Sequence, residues 1–194
     1  MKLVEDKTDG VFWISFPDFQ KYFVSLHICK FHDNFKFSYF KKLESEFGYH
    51  LLAINIETQG NRTFAISQRD RSCYPNFPNF KYSSCRFIIV RSKNDKDLLA
   101  GVEYIDGKLE SFEKNYYIEC PNLKKGKYYA FVEFDWEDEV ADYEKTFTIN
   151  SYGVDAAVFS DESDTCHKEE FLKAAFVSKL EKTTQGLHVI DMGD

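Results

Sequence analysis

From residue 49 onward, apolar and polar positions alternate in short runs separated by turn chemistry. Leu52, Ile54 and Ile56 alternate with Ala53, Asn55 and Glu57, the period of a half-buried strand. Gln59-Gly60-Asn61 is a turn, and Phe64 and Ile66 carry the alternation on to Arg69, so this pair predicts a hairpin. Ser72 to Lys81, with Pro75 and Pro78, reads as a loop. Cys85 to Arg91 is a continuous apolar run, as expected of a strand buried on both faces or at a sheet centre. Leu99 to Ile105 predicts a strand ending at Asp106-Gly107, a hairpin-type dipeptide. Asn115 to Cys120 is a short strand, Lys124-Lys125-Gly126 turns the chain, and Lys127 to Phe134 has the strongest strand pattern. Thr146 to Asn150 follows an acidic loop, Tyr152-Gly153 turns, and Val154, Ala156 and Val158 alternate in a last strand. Eight short strands, with turn signals about every 8–12 residues, predict a mostly β, antiparallel sandwich over 49–160.

The flanks have helical signals. Val11 to Ile14 is strand-like, Ser15 is a good N-cap, Pro17 suits a first turn and Asp18 suits a helix N-terminus. Phe16, Phe19 and Phe23 share one helical face and are expected to be buried. Residues 30–48, rich in Phe, Lys and Glu without a period, read as a linker with an early strand or helical turn. Beyond an acidic link at 161–164, Thr165 can cap a C-terminal helix with Glu169 and Glu170 in its first turn. Leu172, Phe176 and Leu180 form its stripe, widened by Phe171 and Ala175. That stripe either covers its own sandwich or offers Phe171, Leu172, Phe176 and Leu180 to a partner.

Composition narrows the function classes. The net charge of −7 argues against a nucleic-acid binder, which needs a concentrated basic face. Aromatic residues make up 18% of the chain, large side chains suited to a core or an interface. The absence of a run of ~18 apolar residues predicts no membrane span. Five unevenly spaced cysteines and no apolar segment after Met1 lead to the expectation of a reducing, cytoplasmic setting.

The run Asp9-Gly10-Val11-Phe12-Trp13-Ile14-Ser15-Phe16-Pro17-Asp18-Phe19, continuing through Tyr22-Phe23 to His27-Ile28-Cys29, resembles the last segment of a calpain protease core. In that family the segment closes the papain-like catalytic domain and leads into domain III, a C2-like β-sandwich. Further matches are Thr63 to Arg71, Tyr82-Ser83 to Ile89, and Leu123-Lys124-Lys125-Gly126-Lys127-Tyr128. The resemblance implies that 1–29 is a catalytic-core remnant, 30–48 a linker, 49–160 an eight-stranded C2-like sandwich and 161–194 a helical tail. It implies a cysteine-protease ancestry without the chemistry, because no cysteine stands in a Gln-x-x-x-Gly-x-Cys-Trp context.

Other candidate chemistry is sparse. Asp135, Glu137, Asp138, Glu139 and Asp142 could supply Ca²⁺ ligands if a second acidic loop, at Asp95 and Asp97 or Asp161 and Asp164, lay at the same end. A solvated charged turn is the plainer reading. His27, Cys29 and His32 are one ligand short of a zinc site. Arg69, Arg71, Arg86, Lys124, Lys125 and Lys127 could meet anionic lipid only by converging. The chain is therefore expected to be a non-catalytic, calpain-like protein without a required cofactor. It would act as an interaction or structural module in a larger cytoplasmic or cytoskeletal assembly, such as a cilium. The alternatives are a Ca²⁺- or phospholipid-responsive module and the regulatory piece of a split protease.

Overall fold

The computed structural model describes residues 13–24, 32–43, 48–75, 80–94, 101–108, 112–137, 145–164 and 168–185. The chain divides into two units, Met1–Asp33 and Asn34–Asp194.

The first unit carries helix α1, Phe16–Tyr22. Ser15 is its N-cap, as the sequence predicts. Its Oγ accepts from the Asp18 N–H at 3.3 Å and donates to Asp18 Oδ2 at 2.6 Å, satisfying one orphan donor of the first turn. The Phe19 and Phe23 rings stack at 4.8 Å. No residue of α1 is buried, and Phe16 and Phe23 are exposed, which corrects the expectation of a buried phenylalanine face. A two-turn helix buries a stripe only against another element, and the described residues of this unit contain no other. Residues 9–12 and 25–31 of the calpain-like run lie outside the described residues.

The second unit is a two-sheet antiparallel β-sandwich with one long helix. Its strands are β1 (Lys36–Leu43), β2 (His50–Ile56), β3 (Gly60–Gln68), β4 (Ser84–Ser92), β5 (Val102–Lys108), β6 (Asn115–Leu123), β7 (Gly126–Asp135), β8 (Thr146–Gly153) and β9 (Val158–Asp161). A 3₁₀ turn spans Arg71–Cys73, and helix α2 spans Lys168–Gln185. The order is β1-β8-β3-β6 in the four-stranded sheet and β5-β4-β7-β2-β9 in the five-stranded sheet. Phe64, Ile66, Tyr116, Ile118, Phe147 and Ile149 from the first sheet meet Leu52, Ile54, Phe87, Ile89, Ala130 and Val132 from the second, forming the inner core.

The five-stranded sheet is buried on its outer side too. There Leu51, Ala53, Ile88, Val90, Tyr129 and Phe131 pack with Phe171 and Ala175 of α2. This double cover explains the unbroken apolar run of β4, expected of a strand covered on both faces, and the run of β7, the strongest strand pattern in the chain.

Nine strands stand among the described residues where eight were expected. The extra one is β1, inside the stretch 30–48, and it pairs with β8 along its whole length. The hairpin expected of β2 and β3 is absent: the turn at 57–59 passes the chain from one sheet to the other, and β2 pairs with β7 and β9 instead. Turn residues signal reversal, not which strand the chain will pair with. The turn at Lys124-Lys125 crosses between sheets as well, with Gly126 at φ +151°, a backbone region that side chains rarely adopt. Asp106-Gly107 does not end β5; the strand runs through it, with a bulge opposite Ile89 and Val90.

The dipeptide Tyr152-Gly153 also belongs to a strand, and the last strand begins at Val158 instead of Val154. Gly153 is required for close approach rather than for turning. A Cβ there would lie 2.7 Å from Cζ of Arg62 on the neighbouring strand. Arg62 is buried; it donates to Ser151 Oγ at 2.6 Å and to the Asp155 carbonyl at 3.0 Å, and forms an ion pair with the Asp155 carboxylate. The other carboxylate oxygen of Asp155 accepts from the N–H groups of Glu57 and Thr58, at 3.1 and 2.8 Å. One arginine thus ties the β2–β3 connection to the β8–β9 connection.

His50, at the start of β2, is buried with its ring edge-on to Phe147, centroids 4.9 Å apart. Burial pulls its pKa down to about 4; Asp161 opposes this and Lys42 adds to it. In the unfolded chain histidine titrates near 6.5. Between those values the unfolded state binds a proton that the native state lacks. The stabilisation is therefore complete above about pH 6.5 and is lost as pH falls toward 4. The gap corresponds to on the order of 3 kcal/mol at its limit. Urea midpoints are expected to fall steeply between pH 7 and pH 5, with a flatter profile in His50→Leu. An unchanged slope in that variant would assign the pH dependence to other groups.

Candidate functional site

Helix α2 has one side fixed to the sandwich and the other turned outward. Phe171 stacks on Phe131 of β7 with centroids 5.4 Å apart, and Phe131 stacks on Tyr49 at 5.7 Å. Lys168 forms an ion pair with Glu133, which also accepts from Arg86 at 2.8 Å. Further along, Ser178 Oγ accepts from the Tyr104 N–H at 3.0 Å, Lys182 Nζ lies 3.4 Å from the carbonyls of Tyr104 and Ile105, and the Lys179 ammonium sits 5.2 Å from the Tyr104 ring centre. The contact stripe is therefore Phe171, Ala175, Ser178 and Lys182, which keeps helical spacing.

The expected stripe, Leu172–Phe176–Leu180, is rotated from the observed one. β5 is an edge strand, and its outward N–H and C=O groups require polar partners. Ser178 and Lys182 supply them, so polar residues belong to the docked side of α2, which apolar periodicity alone cannot show. Of the four residues expected at a partner face, Phe171 is buried within this fold, which corrects its assignment, and Leu172 is half-buried. Phe176 and Leu180 point outward, 37% and 65% exposed, and Val177, which the stripe did not include, joins them at 48%. Beside them a groove of about 440 Å³ runs between α2 and the start of β5, floored by Val102 and walled by Ala174 and Val177, with Lys173 and Glu181 among its lining.

Asp135 is exposed at the end of β7, and the Glu137 N–H donates to Ser83 Oγ at 3.0 Å. Asp138, Glu139, Asp142, Asp95 and Asp97 lie outside the described residues, as do His27, Cys29 and Cys166. Among the described residues no group of three His, Cys, Asp or Glu side chains could hold a metal ion. Asp161 already serves Lys42 and Ser163, each at 2.5 Å. Three of the six basic side chains considered for lipid are held by carboxylates: Arg86 by Glu133, Lys125 by Glu57 and Lys127 by Glu162. Burial pushes the Cys120 thiol up to about 12 and raises Cys85 further, so neither is a thiolate at neutral pH. No helix among the described residues is long and apolar enough to cross a membrane.

No protein-family model matches the chain, and no curated protein matches it. Among solved structures it is similar to a mitogen derived from Yersinia pseudotuberculosis, at 8% identity over 61% of this chain and 83% of the mitogen. The TM-score is 0.32, a likeness too slight to bear on fold or function.

Proposed function

We propose that this chain is a non-catalytic interaction module that docks into a larger assembly through the outward side of α2. The observation that carries this reading is the division of α2 into two sides. One side is held by packing and hydrogen bonds, and the other keeps Phe176, Val177 and Leu180 in solvent. A preformed helix presenting apolar residues at i and i+4 loses little entropy on entering a partner's groove. The calpain-like, C2-like reading belongs to the same proposal. Its support is the order of motifs along the chain, from the run at 9–29 through Thr63 to Arg71 and Tyr82 to Ile89 to the run from Leu123 to Tyr128.

The test is sedimentation of native extract. The wild-type chain is expected in heavy fractions, and Phe176→Ser/Leu180→Ser in light ones, with the melting temperature close to wild type because both residues are exposed. A wild-type chain that sediments as a monomer, or a variant that stays in the heavy fractions, overturns the reading.

A further inference from the structure

We propose that the outer face of the four-stranded sheet binds an uncharged oligosaccharide. Strand register sets one row across this face as Tyr39, Asn150, Ala65 and Tyr117, on β1, β8, β3 and β6. Ala65 and Asn150 are buried and form a low floor, and Asn150 Nδ2 donates to Ser67 Oγ at 3.2 Å. Tyr39 and Tyr117 stand at either end, three strand spacings or about 14 Å apart. The next row adds Phe37 and Tyr152, whose rings lie 5.1 Å apart, and Phe37 is 5.8 Å from Tyr39. α2 covers the other sheet, but these four rings remain between 39% and 65% exposed.

The chemistry of the two rows selects the occupant. Tyr and Phe are enriched at protein interfaces as well, but the side chains between these rings are the short Ala65, Asn150 and Thr63, and the two rows hold no aliphatic side chain except Ala65, a residue type depleted at interfaces. A polyanion or an anionic membrane would need clustered cations. In this region Lys41 stands at one margin and Glu119 at another, in a chain of net charge −7. Aromatic faces interleaved with amides and hydroxyls, without a charge cluster, match a sugar. Its C–H faces stack on the rings, and its hydroxyls bond to groups such as Asn150, Ser67 and Thr63. Tyrosines on paired strands are already ordered, which lowers the entropy lost on binding.

A glycan array printed with neutral and acidic oligosaccharides tests this. The whole chain is expected to bind a subset of the neutral glycans. Tyr39→Ser/Tyr117→Ser should bind that subset at least tenfold more weakly at an unchanged melting temperature, and Phe176→Ser/Leu180→Ser should bind it as wild type does. Three results overturn the inference: binding to no neutral glycan, binding confined to acidic ones, or undiminished binding by the tyrosine variant. If the tyrosine variant leaves the heavy fractions of native extract while no glycan binds, the face is a protein interface, and the inference again fails. The inference does not rest on the docking role of α2, and the two variant pairs fail separately.

Discussion

Asp155→Ala is expected to cost the fold on the order of 3–5 kcal/mol, the range for removing one partner of a buried ion pair. The Arg62 guanidinium has a side-chain exposure of 2%, and the Asp155 carboxylate is its ion-pair partner. Burial lowers the arginine pKa and Asp155 opposes that, but guanidinium stays protonated in proteins. Removing the carboxylate therefore strands a positive charge between the sheets. It also frees the N–H groups of Glu57 and Thr58, which hold the crossing between β2 and β3. Arg62→Met/Asp155→Asn should be milder than Asp155→Ala, because no charge is left unpaired. Urea denaturation of the single and double variants reads both effects. A single-variant loss below about 1 kcal/mol would mean that the guanidinium finds water on losing its partner.

Phe171→Ala is expected to cost about 3–5 kcal/mol, the sum of lost burial and the cavity left on Phe131. Leu180→Ala, nine residues along the same helix, should stay within about 0.5 kcal/mol, because its side chain is 65% exposed. The contrast reports which side of α2 is docked. Comparable losses at both positions would mean that the helix sits rotated, with the expected Leu172–Phe176–Leu180 stripe facing the sheet.

Local patterns made much of the sandwich legible. Alternation located β2 and β3, the unbroken apolar run of β4 signalled a strand covered on two faces, and β7 stood out as the strongest strand pattern. Ser15 and the residues after it marked α1. Pairing was not legible, because the Gly60 and Gly126 regions look alike whether a turn closes a hairpin or passes between sheets. β1 was obscured because it carries aromatics on both faces, Phe37 and Tyr39 outward and Phe40 toward Phe159. That removes the period-two contrast by which a strand is recognised.

Of the candidate sites, Phe176 and Leu180 could be picked out from helical spacing. Their outward orientation could not, since it depends on Ser178 and Lys182 meeting the open edge of β5. The aromatic face was not legible either: Tyr39, Asn150, Ala65 and Tyr117 come from four strands scattered along the chain, and only register aligns them. The sequence by itself determined the strand-rich class, the helix at each flank and the aromatic surplus, because these follow from backbone preference and side-chain period within a few residues. Tertiary structure alone decided the sheet order, the Arg62–Asp155 clamp joining residues 93 apart, and which aromatics were left in solvent. Those outcomes depend on which distant surface removes each side chain from water, and no local window contains that information.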